Sequence, residues 1–190
     1  MERILLLAAL AVSMLAGPLR AGGICEDFWY TRNAVMDRAG YCFGSALGQA
    51  VFDNGDCRTK QPALSPGDTA MVQHIQAEER RFSCKINTRA IQLDLHDLSW
   101  RRALSDLPVA DPIEGGCLGW QGGPVVLRAG HDASSPALAT IQPGDHVGFG
   151  HIPVGEWTYV TLHPPGWGPV RGAGWMPIHH GELPCANYAG

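Results

Sequence analysis

Hydrophobic and polar positions divide the chain into two stretches with different periods. From Phe28 to Met36, apolar and aromatic residues recur at helical spacing: Trp29, Asn33 and Met36 share one face, with Phe28, Arg32 and Val35 beside it. The pattern predicts a helix capped by Asp27 that runs to about Ala39 and stops at Gly40. A shorter helix is expected over 46–52. The stretch Asp53-Asn54-Gly55-Asp56 is a turn, because an EF-hand calcium loop would need alternating ligands and a distal Glu. Ser65-Pro66-Gly67-Asp68 opens a third helix, with a Ser cap, Pro in the first turn and an acid that reaches back. Met71, Val72, Ile75 and Phe82 form its apolar stripe.

Beyond residue 90 the period changes. Ile91-Gln92-Leu93-Asp94-Leu95 alternates like a strand, 97–107 is mixed, and Asp111-Pro112 with Gly115-Gly116 reads as a linker. Five short strands follow, at 125–128, 138–141, 146–149, 156–162 and 174–178. Pro143-Gly144-Asp145 makes a tight turn, and a Gly/Pro-rich loop occupies 164–172. Strands and turns at this spacing predict a small β-barrel behind a helical half, an α+β chain.

Composition limits what such a chain does. It has 190 residues, 45% hydrophobic and 17% charged, which excludes a disordered chain. The net charge of −4 argues against a nucleic-acid partner. An apolar run from Ile4 to Ala16 follows Arg3, is broken at Gly17-Pro18 and leads to Leu19-Arg20-Ala21. It is too short to span a bilayer comfortably and reads as a signal peptide over 1–21. The 6 Cys all lie downstream, an even count that points to disulfides in an oxidising compartment, secreted or periplasmic. There is no CxxC pair, which weakens a zinc reading. No transmembrane segment is expected after signal cleavage.

The strands from Val125 to Ile178 resemble a bacterial SH3-like domain. The matching points are Leu127-Arg128-Ala129-Gly130, Pro143-Gly144-Asp145, Trp157 with Val160, and Gly174-Trp175. The long 164–172 loop departs from that pattern. The first half, over Phe28 to Tyr41, resembles the YARHG domain of secreted bacterial proteins. The family's naming motif falls on Met36-Asp37-Arg38-Ala39-Gly40, of which Arg38 and Gly40 are kept and the family's His is Ala39. The combination is similar to a secreted alphaproteobacterial group. The domains are therefore expected at 22–86 (YARHG-like, helical), 87–115 (connecting) and 116–190 (SH3-like barrel). This division narrows the disulfides to Cys25–Cys84, Cys42–Cys57 and Cys117–Cys185. The alternative is one reactive Cys beside a His.

No GxSxG, HExxH, GxGxxG or P-loop occurs in the sequence. His179 and His180 are adjacent, and His146 and His151 are oddly spaced, so regular strands would turn each pair to opposite faces. No metal or cofactor is expected. The binding candidates are aromatic: Trp157, Tyr159, Trp167 and Trp175 as a shallow groove, with Arg128 and Asp145 at its edge; core packing is the alternative for Trp157, Tyr159 and Trp175, and Trp167, in the Gly/Pro-rich loop, is the one expected to be exposed. Arg32, Asn33, Arg38 and Tyr41 form a second candidate patch, with interhelical pairing as the alternative. SH3-like domains of this type contact peptidoglycan or its peptides. The resemblance thus implies a non-catalytic envelope-binding protein whose partner is peptidoglycan or an envelope protein. The alternatives are a wall hydrolase and an inhibitory or anchoring module.

Overall fold

The computed structural model describes residues 23–178 and 181–190. The expected signal peptide and His179-His180 lie outside them.

Helix α1 spans Ile24–Arg38, α2 Ala46–Val51 and α3 Pro66–Arg81. Ser65 caps α3 as its sequence predicts, its hydroxyl accepting from Asp68 N–H at 3.1 Å. The start of α1 differs from expectation. Its N-cap is Gly23, and Glu26 accepts from the Gly23 N–H at 3.1 Å, so Asp27 lies within the first turn. Asp27 is buried there, because a partner far along the chain claims its carboxylate. After α1, Gly40 takes φ +82°, a conformation that spares it the Cβ clash of other residues.

Trp29, Tyr30, Val35, Phe43, Leu47 and Phe52 form the core of the helical half. Phe43 stacks on Phe52 with ring centroids 4.7 Å apart. Cys25–Cys84 ties the first turn of α1 to the end of α3, and Cys42–Cys57 closes the loop around α2. In the chain-entropy model, closing a loop of about 15 residues contributes roughly 3 kcal/mol.

The expected strand at 91–95 is absent. That segment runs irregularly into a one-turn helix, α4, Leu98–Arg101. The expected linker at 111–116 instead lies within strand β1, Ala110–Trp120. The five expected strands follow as β2 Val125–Arg128, β3 Ala137–Ile141, β4 His146–His151, β5 Trp157–His163 and β6 Gly172–Pro177. A further strand, β7 Cys185–Ala189, completes the sheet.

The strands form one antiparallel sheet in the order β3-β2-β6-β5-β4-β1-β7. It is not a closed barrel. Closing the five expected strands would bring β3 against β4, but the outer edge of β4 is taken by β1, and β1 in turn by β7. Cys117–Cys185 cross-links these two added strands. Val147, Val160, Leu162 and Met176 turn to one face and pack on Leu127, Ile141 and Trp120. Tyr159, Ala173 and Trp175 turn to the other, where Leu104 and Trp100 from the connecting segment cover them. The helical half joins the sheet through Phe28, Ile75 and Ala110.

Candidate functional site

The aromatic groove expected from the sequence is mostly core. Tyr159 and Trp175 are 0% exposed. Trp175 Nε1–H donates to Asp106 O at 2.9 Å, and Tyr159 O–H donates to Asp97 Oδ2 at 2.7 Å. Trp157 is half-buried on the same face. These residues share that face because alternate residues of β5 and β6 pair as Trp157↔Pro177 and Tyr159↔Trp175, and α4 caps them. The proposed groove edge is also committed to structure. Arg128 donates to Ser135 O at 2.8 Å. Buried Asp145 accepts from Gln142 N–H at 2.7 Å and pairs with Arg171.

The second patch is structural as well. Arg32 pairs with Glu79 of α3 at 3.0 Å. Asn33 donates to Trp29 O at 2.7 Å within its own helix. Arg38 donates to the carbonyls of Leu104 and Ser105, both at 2.6 Å, and so pins the connecting segment. Tyr41 packs edge-on to Phe43.

Trp167 is the exception, at 42% exposed. It sits in the 164–172 loop with φ +57°. Two histidines flank it, with ring centroids 5.5 Å away for His146 and 4.9 Å for His163. The His163 partners fix its tautomer: Nδ1–H donates to Gly168 O at 2.9 Å, and Nε2 accepts from Thr161 O–H at 3.0 Å. His163 therefore anchors the loop. The indole lies against Gly116, where any Cβ would meet it at 2.8 Å.

Trp167 stands at the rim of a cleft of about 350 Å³ between α1, the 95–97 segment and the sheet. One wall is formed by Gly115, Gly148, Gly150 and Thr161, and another by Gly23 and Ile24. Asp27, Asp97, Arg101 and His151 also line it. They form a buried charged cluster in which Asp27 comes from α1, Asp97 and Arg101 from the α4 region, and His151 from β4.

Arg101 is the centre of the cluster, and its donors are fully used. Nε donates to both oxygens of Asp97 at 2.9 Å. Nη1 donates to Asp27 Oδ1 at 2.9 Å and reaches Thr31 Oγ1 at 3.4 Å. Nη2 contacts Asp27 Oδ2 and lies 2.7 Å from His151 Nε2. His151 Nε2 is also 3.0 Å from Asp27 Oδ2, and its ring stands edge-on to Tyr159 at 4.8 Å.

Burial alone would raise the Asp27 carboxyl, but Arg101 and His151 outweigh it and hold it at about 2. Burial works against the Arg101 charge too, yet Asp27 and Asp97 push its pKa well above the ordinary value. Burial, and then the neighbouring Asp97, raise the Tyr159 hydroxyl well above the usual phenol range, so it remains a donor. The cluster is thus a fixed set of charges under the cleft. Among the described residues, no group of His, Cys, Asp and Glu is placed to hold a metal ion. His146 and His151 are not brought together, since one packs on Trp167 and the other on Asp27.

Two family comparisons bear on this architecture. The family described as Domain of unknown function (DUF4453) matches residues 83–190, more than half of the chain. The chain belongs to the DUF4453 family. A YARHG domain is found at residues 3–80. The DUF4453 region thus supplies the sheet, Asp97, Arg101, His151 and Trp167, while the YARHG region supplies Asp27 and the α1 wall. No curated protein and no solved structure matches the chain. The three disulfides fit an extracellular or secreted protein. Among the described residues, no helix is long and apolar enough to cross a membrane.

The sequence singles out Asp27 only as a helix cap and His151 only beside His146, so it does not point to the Asp27–Arg101–His151 cluster. Asp97 and Arg101 at i,i+4 between Leu98, Trp100 and Leu104 were its one local signal.

Proposed function

We propose that this chain is a non-catalytic, extracytoplasmic binding protein of the cell envelope that holds a segment of peptidoglycan in the cleft beside Trp167. The observation that carries this reading is the half-exposed indole of Trp167, held over a glycine wall at the rim of a cleft with a rigid charged floor. An aromatic face beside exposed backbone suits sugars and peptides, which bind by stacking and by hydrogen bonds to the main chain. The resemblance of 125–178 to SH3-like wall-binding domains, and the stapled architecture, support the same reading. The domain division at 22–86, 87–115 and 116–190 belongs to this proposal, with the cleft formed where the three parts meet.

The test is co-sedimentation of the purified protein with isolated sacculi. Wild type should pellet with them, and Trp167→Ala should weaken retention about tenfold or more while thermal stability stays near wild type. Absence of wild-type retention refutes wall binding. Release of soluble wall fragments would replace it with a hydrolase, and capture of a single envelope protein would replace it with an interaction module.

A further inference from the structure

A second cleft, of about 440 Å³, shares only Arg101 with the one beside Trp167. Tyr30, Ala34, Asp37 and Arg38 line it together because helical spacing puts them on one face of α1. Arg102 enters from the end of α4, and Asp53 from the turn after α2.

Tyr30 is only 3% exposed and stacks on Phe52 with ring centroids 5.5 Å apart. Burial and charges act on its hydroxyl, but no hydrogen bond does among the described residues. The hydroxyl is nevertheless not sealed in, since His151 Nδ1 is the one side-chain atom among those residues that is both sealed and unpartnered. Tyr30 Oη therefore opens into the cleft. Burial raises it above the usual phenol range against the pull of Arg101, Arg102 and Arg38, so it is a donor at neutral pH. Arg102 spends Nη2 on Val51 O at 3.2 Å and keeps its Nε and Nη1 donors for the cleft. Arg38 commits both Nη groups to Leu104 and Ser105, yet its charge still acts on the Tyr30 hydroxyl.

Acids face these donors. Burial, then Asp56 and Asp53, raise the Asp37 carboxyl above its ordinary range, and a cation beside it would relieve that crowding. Asp27 and Asp97 already neutralise Arg101, so the open charges are Arg38 and Arg102 against Asp37 and Asp53. Such a lining repels a plain anion such as phosphate and matches a molecule with one anionic and one cationic end. Tyr30 and Asp37 are two helical turns apart, roughly 10 Å along the axis. Three extended residues span about the same length.

We propose that this cleft binds a short peptide with both ends free, its carboxylate accepting from the Tyr30 hydroxyl and Arg102 while its ammonium faces Asp37 and Asp53. Ala34, between these ends on the α1 face, leaves room for the peptide main chain. The site is separate from the Trp167 cleft and does not rest on wall binding.

The test is calorimetry on the full chain at neutral pH and about 150 mM salt, where exposed charges are largely screened beyond about 8 Å. The probes are trialanine, trialanine acetylated at its amine, trialanine amidated at its carboxylate, and inorganic phosphate. Free trialanine should bind at least about tenfold tighter than either capped form, and phosphate should not compete with it. Tyr30→Phe keeps the ring on Phe52 and removes only the hydroxyl. It should weaken trialanine about five- to tenfold and leave Tm within about 2 °C of wild type, because no internal hydrogen bond is lost. Asp37→Asn should weaken trialanine about threefold and leave the acetylated form unchanged. The Arg102 Nε–H resonance should shift as trialanine binds. Equal binding of free and capped peptides, binding of none, or an unchanged affinity in Tyr30→Phe overturns the proposal. A marked fall in the Tm of Tyr30→Phe would reveal an internal partner for the hydroxyl and overturn it too. Phosphate binding as tightly as trialanine would make the cleft a simple anion site and overturn the peptide.

Discussion

Replacing Arg101 by Met removes the charge at the centre of the cluster while keeping most of the side-chain volume. The guanidinium is nearly inaccessible to solvent and joins Asp27, Asp97 and His151, which belong to separate segments of the chain. Without it, two buried carboxylates face each other with no cation between them. Breaking a buried pair from one side costs about 3–5 kcal/mol, because the remaining charge stays desolvated. For a chain of this size that loss lowers Tm by roughly 6–20 °C. The pH dependence gives an independent check. In the wild type, Asp27 is held at about 2, below its ordinary 3.8. A depressed carboxyl stabilises the fold above its unfolded pKa and loses that contribution as pH falls through the folded value. The wild type should therefore lose roughly 2 kcal/mol between about pH 5 and pH 2 from this group. In Arg101→Met the carboxylates lose the guanidinium that most favours their ionised form, so the gap between variant and wild type should narrow as pH falls. The assay is urea unfolding under non-reducing conditions at several pH values. A loss under about 1 kcal/mol at pH 7, or a gap that widens in acid, would refute the role assigned to the cluster.

Two further outcomes follow from the same geometry. Tyr159→Phe removes the hydroxyl that donates to Asp97 and should destabilise the chain by about 1–2 kcal/mol in the same urea assay, with an unchanged far-UV spectrum. Gly116→Val places a Cβ where the Trp167 ring now lies, so it should displace the indole and lose sacculus retention as Trp167→Ala does. Because valine suits a strand, its stability should stay within about 1 kcal/mol of wild type. Retention equal to wild type would show that the indole position is irrelevant to binding.

What could be read from the sequence, and what could not, divides along the range of the forces involved. β2 to β6 alternate between turns with clear chemistry, so local pattern suffices to find them. The cap of α3 is likewise written in four consecutive residues. β1 is hidden because Asp111, Pro112, Gly115 and Gly116 carry turn chemistry. They are extended only because β4 and β7 pair on either side and a bulge between Ala110 and Gly115 absorbs the irregular part. Once β1 lies against β4, the edge that would have closed a barrel is filled.

The candidate site fails to show for a similar reason. Arg101 meets Asp27 across 74 positions and His151 across 50, and no local spacing encodes either contact. Asp27 looks like a cap until Arg101 claims it. Tyr159 and Trp175 look like a groove until the connecting segment covers them. Only Trp167 could be read correctly as exposed, because a Gly/Pro-rich loop has no core to offer a ring. A buried ion cluster is not needed for stability, since apolar packing of equal volume would serve as well or better. Its presence beneath a cleft therefore calls for another reason. His151 Nδ1, in a cluster where every Arg101 donor is used, is the buried side-chain nitrogen left without a hydrogen-bond partner among the described residues, and an ion cluster kept for stability alone would not leave one.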